Sequence, residues 1–252
     1  MTKKVIVNNL ATSYKQYGNK KVYILLLHGW GDNCTTFTEI SNSLSNEYSL
    51  IALDLPGFGD TESPQDAWGL HEYANFVADF CNKINISPRV IIGHSNGGAI
   101  AISAVSNGII KPNKLVLLAS AGIRSKSIKK STQKNISHMV KPFLKILPNK
   151  SQIQIKKSVY SKIGSDYYVA EHLQEKIKKI TSQDVQEIAK NIKIPTLLIY
   201  GYKDTSTPIE YGKKLQLCIK DSKLLVVKDA GHFVYKDDLD FVVNNIRDFI
   251  NA

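Results

Sequence analysis

The chain has 252 residues, 43% of them hydrophobic and 22% charged, with 33 Lys/Arg against 22 Asp/Glu. That composition suits a globular fold with a sizeable core, and no apolar run approaches the ~20 residues a bilayer-crossing helix needs. Cys34, Cys81 and Cys218 stand far apart without C-x-x-C spacing, which argues against a zinc site or a disulfide framework and leaves free thiols.

In chain order, Met1-Thr2-Lys3-Lys4 carries two lysines, but Val5-Ile6-Val7 is broken at once by Asn8-Asn9. No signal peptide is expected, and a cytoplasmic location follows. Residues 5–7 and 12–17 read as an antiparallel pair, with a turn at Gly18-Asn19-Lys20. Val22 to Leu27 is a continuous apolar run, as a central parallel strand requires. Residues 35–44 repeat at helical spacing, and 49–53 read as a strand. Between Leu70 and Ile84, residues Tyr73, Phe76, Val77, Phe80 and Ile84 fall at three-and-four spacing, which predicts an amphipathic helix. Strands at 89–92 and 114–119 flank a helix at 97–105. This alternation predicts an α/β fold: a mostly parallel sheet flanked by helices.

From Ile123 to about Ile192 the strand pattern stops, and three or four amphipathic helices are expected. Ser151 to Gln154 fits a capping box, Ser165 is a second cap, and Pro142 and Pro148 break the early part. The reading is a core of residues 1–122 and 193–252 with a helical lid inserted at 123–192. Between Arg124 and Lys193 there are 16 Lys/Arg and 5 Asp/Glu, a net +11 that equals the charge of the whole chain. The rest is neutral, at 17 against 17. Buried strands are then expected at 194–200 and 223–227, with helices near 209–217 and 239–250.

Gly93-His94-Ser95-Asn96-Gly97-Gly98 follows an apolar strand and precedes a helix. Glycines on both sides let the turn bend tightly, lifting the Ser95 hydroxyl above the sheet as in a G-x-S-x-G nucleophile elbow. An acid and a histidine follow, each just past a strand end: Asp204 in Gly201-Tyr202-Lys203-Asp204, and His232 in Asp229-Ala230-Gly231-His232-Phe233. That edge is where open parallel sheets bind ligands. A serine hydroxyl needs a base, for which His232 is the candidate. The base needs an orienting carboxylate, for which Asp204 is the candidate. Asp229 and Asp221 are the alternative acids, although Asp229 is only three residues from His232. Asp54 reads as a loop organiser, His28 and His94 as loop-orienting, and His71, His138 and His172 as surface or lid residues. Gly57-Phe58-Gly59 and Gly29-Trp30-Gly31 are too short for a dinucleotide fingerprint. No cofactor or metal is expected.

With His28-Gly29-Trp30-Gly31 after one strand and Asp54-Leu55-Pro56-Gly57-Phe58-Gly59-Asp60-Thr61-Glu62-Ser63 after another, nearly the whole chain resembles an α/β-hydrolase. The resemblance implies an oxyanion hole built from the backbone N–H groups of Trp30 and Asn96. Epoxide hydrolases and haloalkane dehalogenases of this fold carry aspartate at the elbow, so Ser95 implies chemistry at an acyl carbonyl. Asn96 departs from the commoner apolar residue, leaving its backbone role intact. The chain also resembles the pimeloyl-carrier-protein methyl esterases, whose cationic lids engage an acidic carrier. An acidic carrier protein or anionic substrate at the basic lid is therefore one expectation, and a plain lysine-rich surface the other. Nucleic acid is not an expected partner. The apolar face at Met139, Val140, Phe143, Leu144 and Leu147 suits a substrate channel better than membrane contact, and no stable membrane insertion is expected. A serine carboxylesterase is the leading function. A meta-cleavage C–C hydrolase, similar from Tyr167 through Pro208, and a non-catalytic ligand receptor are the alternatives.

Overall fold

The structure is a computed structural model describing residues 2–124, 179 and 182–252. The expected helices around Ser151 and Ser165, the apolar face at 139–147, His138 and His172 lie outside the described residues. The strands are β1 (Thr2–Val7), β2 (Leu10–Tyr17), β3 (Tyr23–Leu27), β4 (Ser49–Leu53), β5 (Val90–His94), β6 (Lys114–Leu118), β7 (Thr196–Gly201) and β8 (Ser222–Val227). They form one sheet in the order β1-β2-β4-β3-β5-β6-β7-β8. Pairing is antiparallel from β1 to β2 and from β2 to β4, and parallel elsewhere.

The helices are α1 (Thr38–Leu44), α2 (Leu70–Lys83), α3 (Asn96–Ser106), α4 (Gln186–Ala189), α5 (Ile209–Cys218), α6 (Val234–Asp237) and α7 (Leu239–Asn251). Strand pleat splits the core in two. Leu25 and Leu27 of β3 pack with Phe76, Val77 and Phe80 of α2 and with Ile100 of α3. Ile24 and Leu26 point the other way, into a layer with Phe37, Tyr235, Val242 and Ile246. Residues 24–27 are fully buried, and each such side chain contributes about 1.5–3 kcal/mol. α2 starts where the Glu72 carboxylate accepts from Gly69 N–H at 2.9 Å, and α7 where Asp238 accepts from Phe241 N–H at 3.1 Å, each meeting a backbone donor that the first helical turn leaves over.

Two expectations need correction. The helix expected at 35–44 is divided: Cys34–Phe37 is a 3₁₀ turn, and α1 follows. Asn33 accepts from Thr35 N–H at 2.9 Å and Asp54 from Cys34 N–H at 2.6 Å, which tightens that first turn. The strand at 222–227 is not buried throughout. It is the sheet edge, with Lys223 and Val226 exposed, because among the described strands β7 alone pairs with it. The end of the expected insertion also packs into the core: Val185, Ala189 and Ile192 are buried there, and Val185 N–H donates to Gly122 O at 2.9 Å. Among the described residues, no helix is long and apolar enough to cross a membrane, and the three cysteines are free.

Candidate active site

β3 and β5 run in parallel register, with Leu27 beside Gly93, so the loop after β3 and the turn after β5 leave the sheet together. At the turn Ser95 adopts φ +50° and ψ −117°, a conformation costly for any residue with a Cβ. The surroundings hold it there. Ser95 N–H donates to Leu118 O at 3.0 Å, and Ser95 O accepts from Gly98 N–H at 3.0 Å and Ala121 N–H at 2.9 Å. A Cβ on Gly97 would lie 2.2 Å from Leu27 O, so only glycine lets α3 approach β3 this closely. A Cβ on Gly29 would lie 3.1 Å from Ser95 Cβ. The His28–Trp30 loop therefore lies against the Ser95 turn.

Three side chains meet at this rim. His232 Nε2 is 3.0 Å from Ser95 Oγ, and His232 Nδ1 is 2.8 Å from Asp204 Oδ2. A carboxylate can only accept, so Nδ1 carries the proton and Nε2 offers its lone pair to the serine O–H. The Asp204 side chain is fully buried and that of His232 nearly so. Burial alone would raise the Asp204 pKa; the hydrogen bond and electrostatic attraction of His232, with the hydrogen bonds from Thr207, outweigh it and hold the pKa below its ordinary value.

The sequence reading missed how Asp204 is held. Its Oδ1 accepts from Ser206 N–H at 2.7 Å and Thr207 N–H at 3.0 Å, and its Oδ2 accepts from Thr207 Oγ1 at 2.7 Å. The available signal was the run Asp204-Thr205-Ser206-Thr207, since an Asp side chain readily takes backbone N–H groups a few residues on.

The other candidates fall elsewhere. Asp229 is exposed and paired with Lys203 at 2.8 Å, while Asp221 and His71 are exposed. Asp54 is buried and takes N–H groups from Cys34 at 2.6 Å and Asp60 at 3.1 Å, as a loop organiser does. His28 donates through Nδ1 to Gly29 O at 2.7 Å and accepts at Nε2 from Leu55 N–H at 3.0 Å. Burial lowers its pKa, so it is a neutral tie between two loops. The main-chain N–H groups of Trp30 and Asn96 have no hydrogen-bond partner among the described residues, which leaves both free to donate. Among those residues, no cluster of three or more His, Cys, Asp or Glu could hold a metal ion.

A family model described as the alpha/beta hydrolase fold matches residues 22–239. The chain belongs to the α/β-hydrolase fold family. Within that family it is 27% identical to an uncharacterised hydrolase, YugF, of Bacillus subtilis, covering 97% of this chain and 96% of the relative. It is also 27% identical to a pimeloyl-[acyl-carrier protein] methyl ester esterase of Neisseria meningitidis, covering 92% and 94% of the two chains. Among solved structures, a meta-cleavage product hydrolase from Pseudomonas fluorescens IP01 superposes with a TM-score of 0.76 over 99% of this chain and 97% of its own. At 20% identity, that likeness shows a shared fold.

Proposed function

We propose that this α/β-hydrolase is a serine esterase that cleaves a carboxylic ester through an acyl-enzyme on Ser95. The observation that carries the reading is the unbroken relay from Ser95 Oγ to His232 Nε2 at 3.0 Å and from His232 Nδ1 to Asp204 Oδ2 at 2.8 Å. As Oγ attacks the ester carbonyl, its proton passes to Nε2 and the carbonyl π electrons move onto oxygen. The N–H groups of Trp30 and Asn96 hold that oxyanion, and losing one such donor costs about 10²–10³ in rate. Collapse breaks the bond to the alkoxy group, which leaves as the alcohol with the proton from Nε2. Water then repeats the sequence on the acyl-enzyme, releasing the acid and restoring Ser95. Asp204 stays ionised throughout and stabilises the imidazolium.

The ester substrate class draws support from the Neisseria relative, which is named as a methyl ester esterase. The division into a core at 1–122 and 193–252 and a helical lid at 123–192 belongs to the same proposal. Its neck is supported by Arg124 N–H donating to Asp184 Oδ2 at 3.0 Å and Arg124 Nε–H to Gln183 O at 3.1 Å. The net +11 between Arg124 and Lys193 makes acyl charge the variable to scan.

The test is a panel of p-nitrophenyl and methyl esters, varied in acyl length and charge, run alongside a ring-fission diketone on the wild type and Ser95→Ala. Ester turnover that falls by about 10³-fold or more in folded Ser95→Ala supports the reading. Equal ester hydrolysis by the two proteins removes it. Cleavage of the diketone alone assigns C–C hydrolysis instead. Tight ligand binding without turnover, unchanged in Ser95→Ala, assigns a receptor.

A further inference from the structure

We infer that Thr207 is a positioning residue of the relay, whose hydroxyl braces the acid against the end of strand β6 and so fixes the imidazole toward Ser95. This deepens the esterase reading and rests on it. Thr207 Oγ1 lies 2.7 Å from Asp204 Oδ2, 2.9 Å from Ala119 O and 3.2 Å from His232 Nδ1. Thr207 is buried, so water does not substitute for these contacts. The single hydroxyl proton is shared between a carboxylate oxygen and a main-chain carbonyl, a three-centre arrangement whose charged arm is the shorter.

Ala119 is an unusual anchor. It is a non-glycine residue at φ +45°, a conformation the surroundings have to impose. Its N–H donates to Ile199 O at 2.8 Å and its carbonyl accepts from Thr207. The same strand end grips the nucleophile from both sides, through Leu118 O to Ser95 N–H and Ala121 N–H to Ser95 O. Thr207 therefore ties the acid to the backbone that holds the serine, closing a loop through β6. Ser206 N–H and Thr207 N–H bind the other oxygen, Oδ1. The hydroxyl shares with His232 the hold on Oδ2, the oxygen facing the imidazole.

The experiment compares Thr207→Val, which keeps the shape and removes the O–H, with Thr207→Ser, which returns it. With a p-nitrophenyl ester, Thr207→Val is expected to lose about 10- to 100-fold in kcat, with KM altered less than about twofold, as for an interaction made in the transition state. Thr207→Ser is expected to recover most of that loss. A second readout needs no turnover: the proton NMR resonance of the His232 Nδ1–H, assigned by nitrogen-15 histidine labelling. It is expected to shift in Thr207→Val and return in Thr207→Ser. A bystander threonine would change the unfolding midpoint alone. Thr207→Val with wild-type kcat, or with the resonance unmoved, overturns the inference. A wild type inert toward every ester defeats the esterase reading instead, and the resonance still decides the role of Thr207. If Thr207→Val does not fold, Thr207→Ala is compared with Thr207→Ser by the same two measurements.

Discussion

His94 donates through Nε2 to the main-chain carbonyl of His232 at 3.0 Å, so the residue before Ser95 holds the loop that carries His232. Its ring also packs against His232, Phe233 and Tyr235 at 4.8, 5.0 and 5.2 Å between centroids. The signature histidine is therefore a clamp between β5 and the loop after β8. His94→Phe keeps the ring stack and deletes the donor. A folded variant is expected to lose about tenfold in kcat, the equivalent of one hydrogen bond of about 1.4 kcal/mol. Steady-state kinetics on an ester check this, and an unchanged kcat would show that the stack alone holds the loop.

The same residue predicts how stability responds to acid. Burial, then the neighbouring His232, lowers the His94 pKa well below its ordinary value, and burial lowers that of His28. Unfolded histidines titrate near about 6.5. Above that pH both states hold neutral rings and neither group adds a slope. As pH falls below it, the unfolded chain takes up protons that the native state refuses, and stability declines toward the folded values. Each histidine contributes at most about 1.4 kcal/mol per pH unit. Urea unfolding at pH 7.5, 6.5 and 5.5 is expected to show the loss only below the middle value, and His94→Phe to reduce it by about half.

Much of this was legible in the sequence because the informative residues are local. The apolar run at 22–27 and the Gly93–Gly98 turn each declare one element, and strand ends that carry Ser95, Asp204 and His232 must share one rim of a parallel sheet. What stayed hidden depends on pairing between distant segments. Sheet order makes β8 an edge, which no period-two pattern reveals. Thr207 meets Ala119 across 88 residues, and nothing near either one in the chain announces it. The end of the insertion joins the core because Val185 finds Gly122, which is again a contact and not a pattern.

The choice of acid gives a sharp comparison. Asp204 is buried with both oxygens occupied, whereas Asp229 is exposed and faces Lys203. Asp204→Asn keeps the shape but no longer favours the Nδ1–H tautomer, and a loss of about 10³–10⁴ in kcat is expected. Asp229→Asn removes one exposed ion pair, which contributes little, and is expected to stay within about twofold of the wild type. Parallel kinetics on the two variants measure this. A reversed pattern would move the acid to the loop of His232 itself.

Ser95 also sets function against stability at a single position. Its φ of +50° stores backbone strain of about 1–3 kcal/mol, as residues at functional turns do. Ser95→Ala removes the hydroxyl but keeps the Cβ, so the strain remains. Ser95→Gly removes both. The gain is offset by the greater freedom of glycine in the unfolded chain, about 0.5–1 kcal/mol. Ser95→Gly is therefore expected to be about 1 kcal/mol more stable than Ser95→Ala by urea unfolding, with both inactive. The comparison with alanine matters, because loss of the Ser95–His232 hydrogen bond is common to the two variants and cancels. A glycine variant no more stable than alanine would mean that the turn is relaxed. The contacts from Leu118, Gly98 and Ala121 would then support an unstrained serine rather than hold a strained one in place.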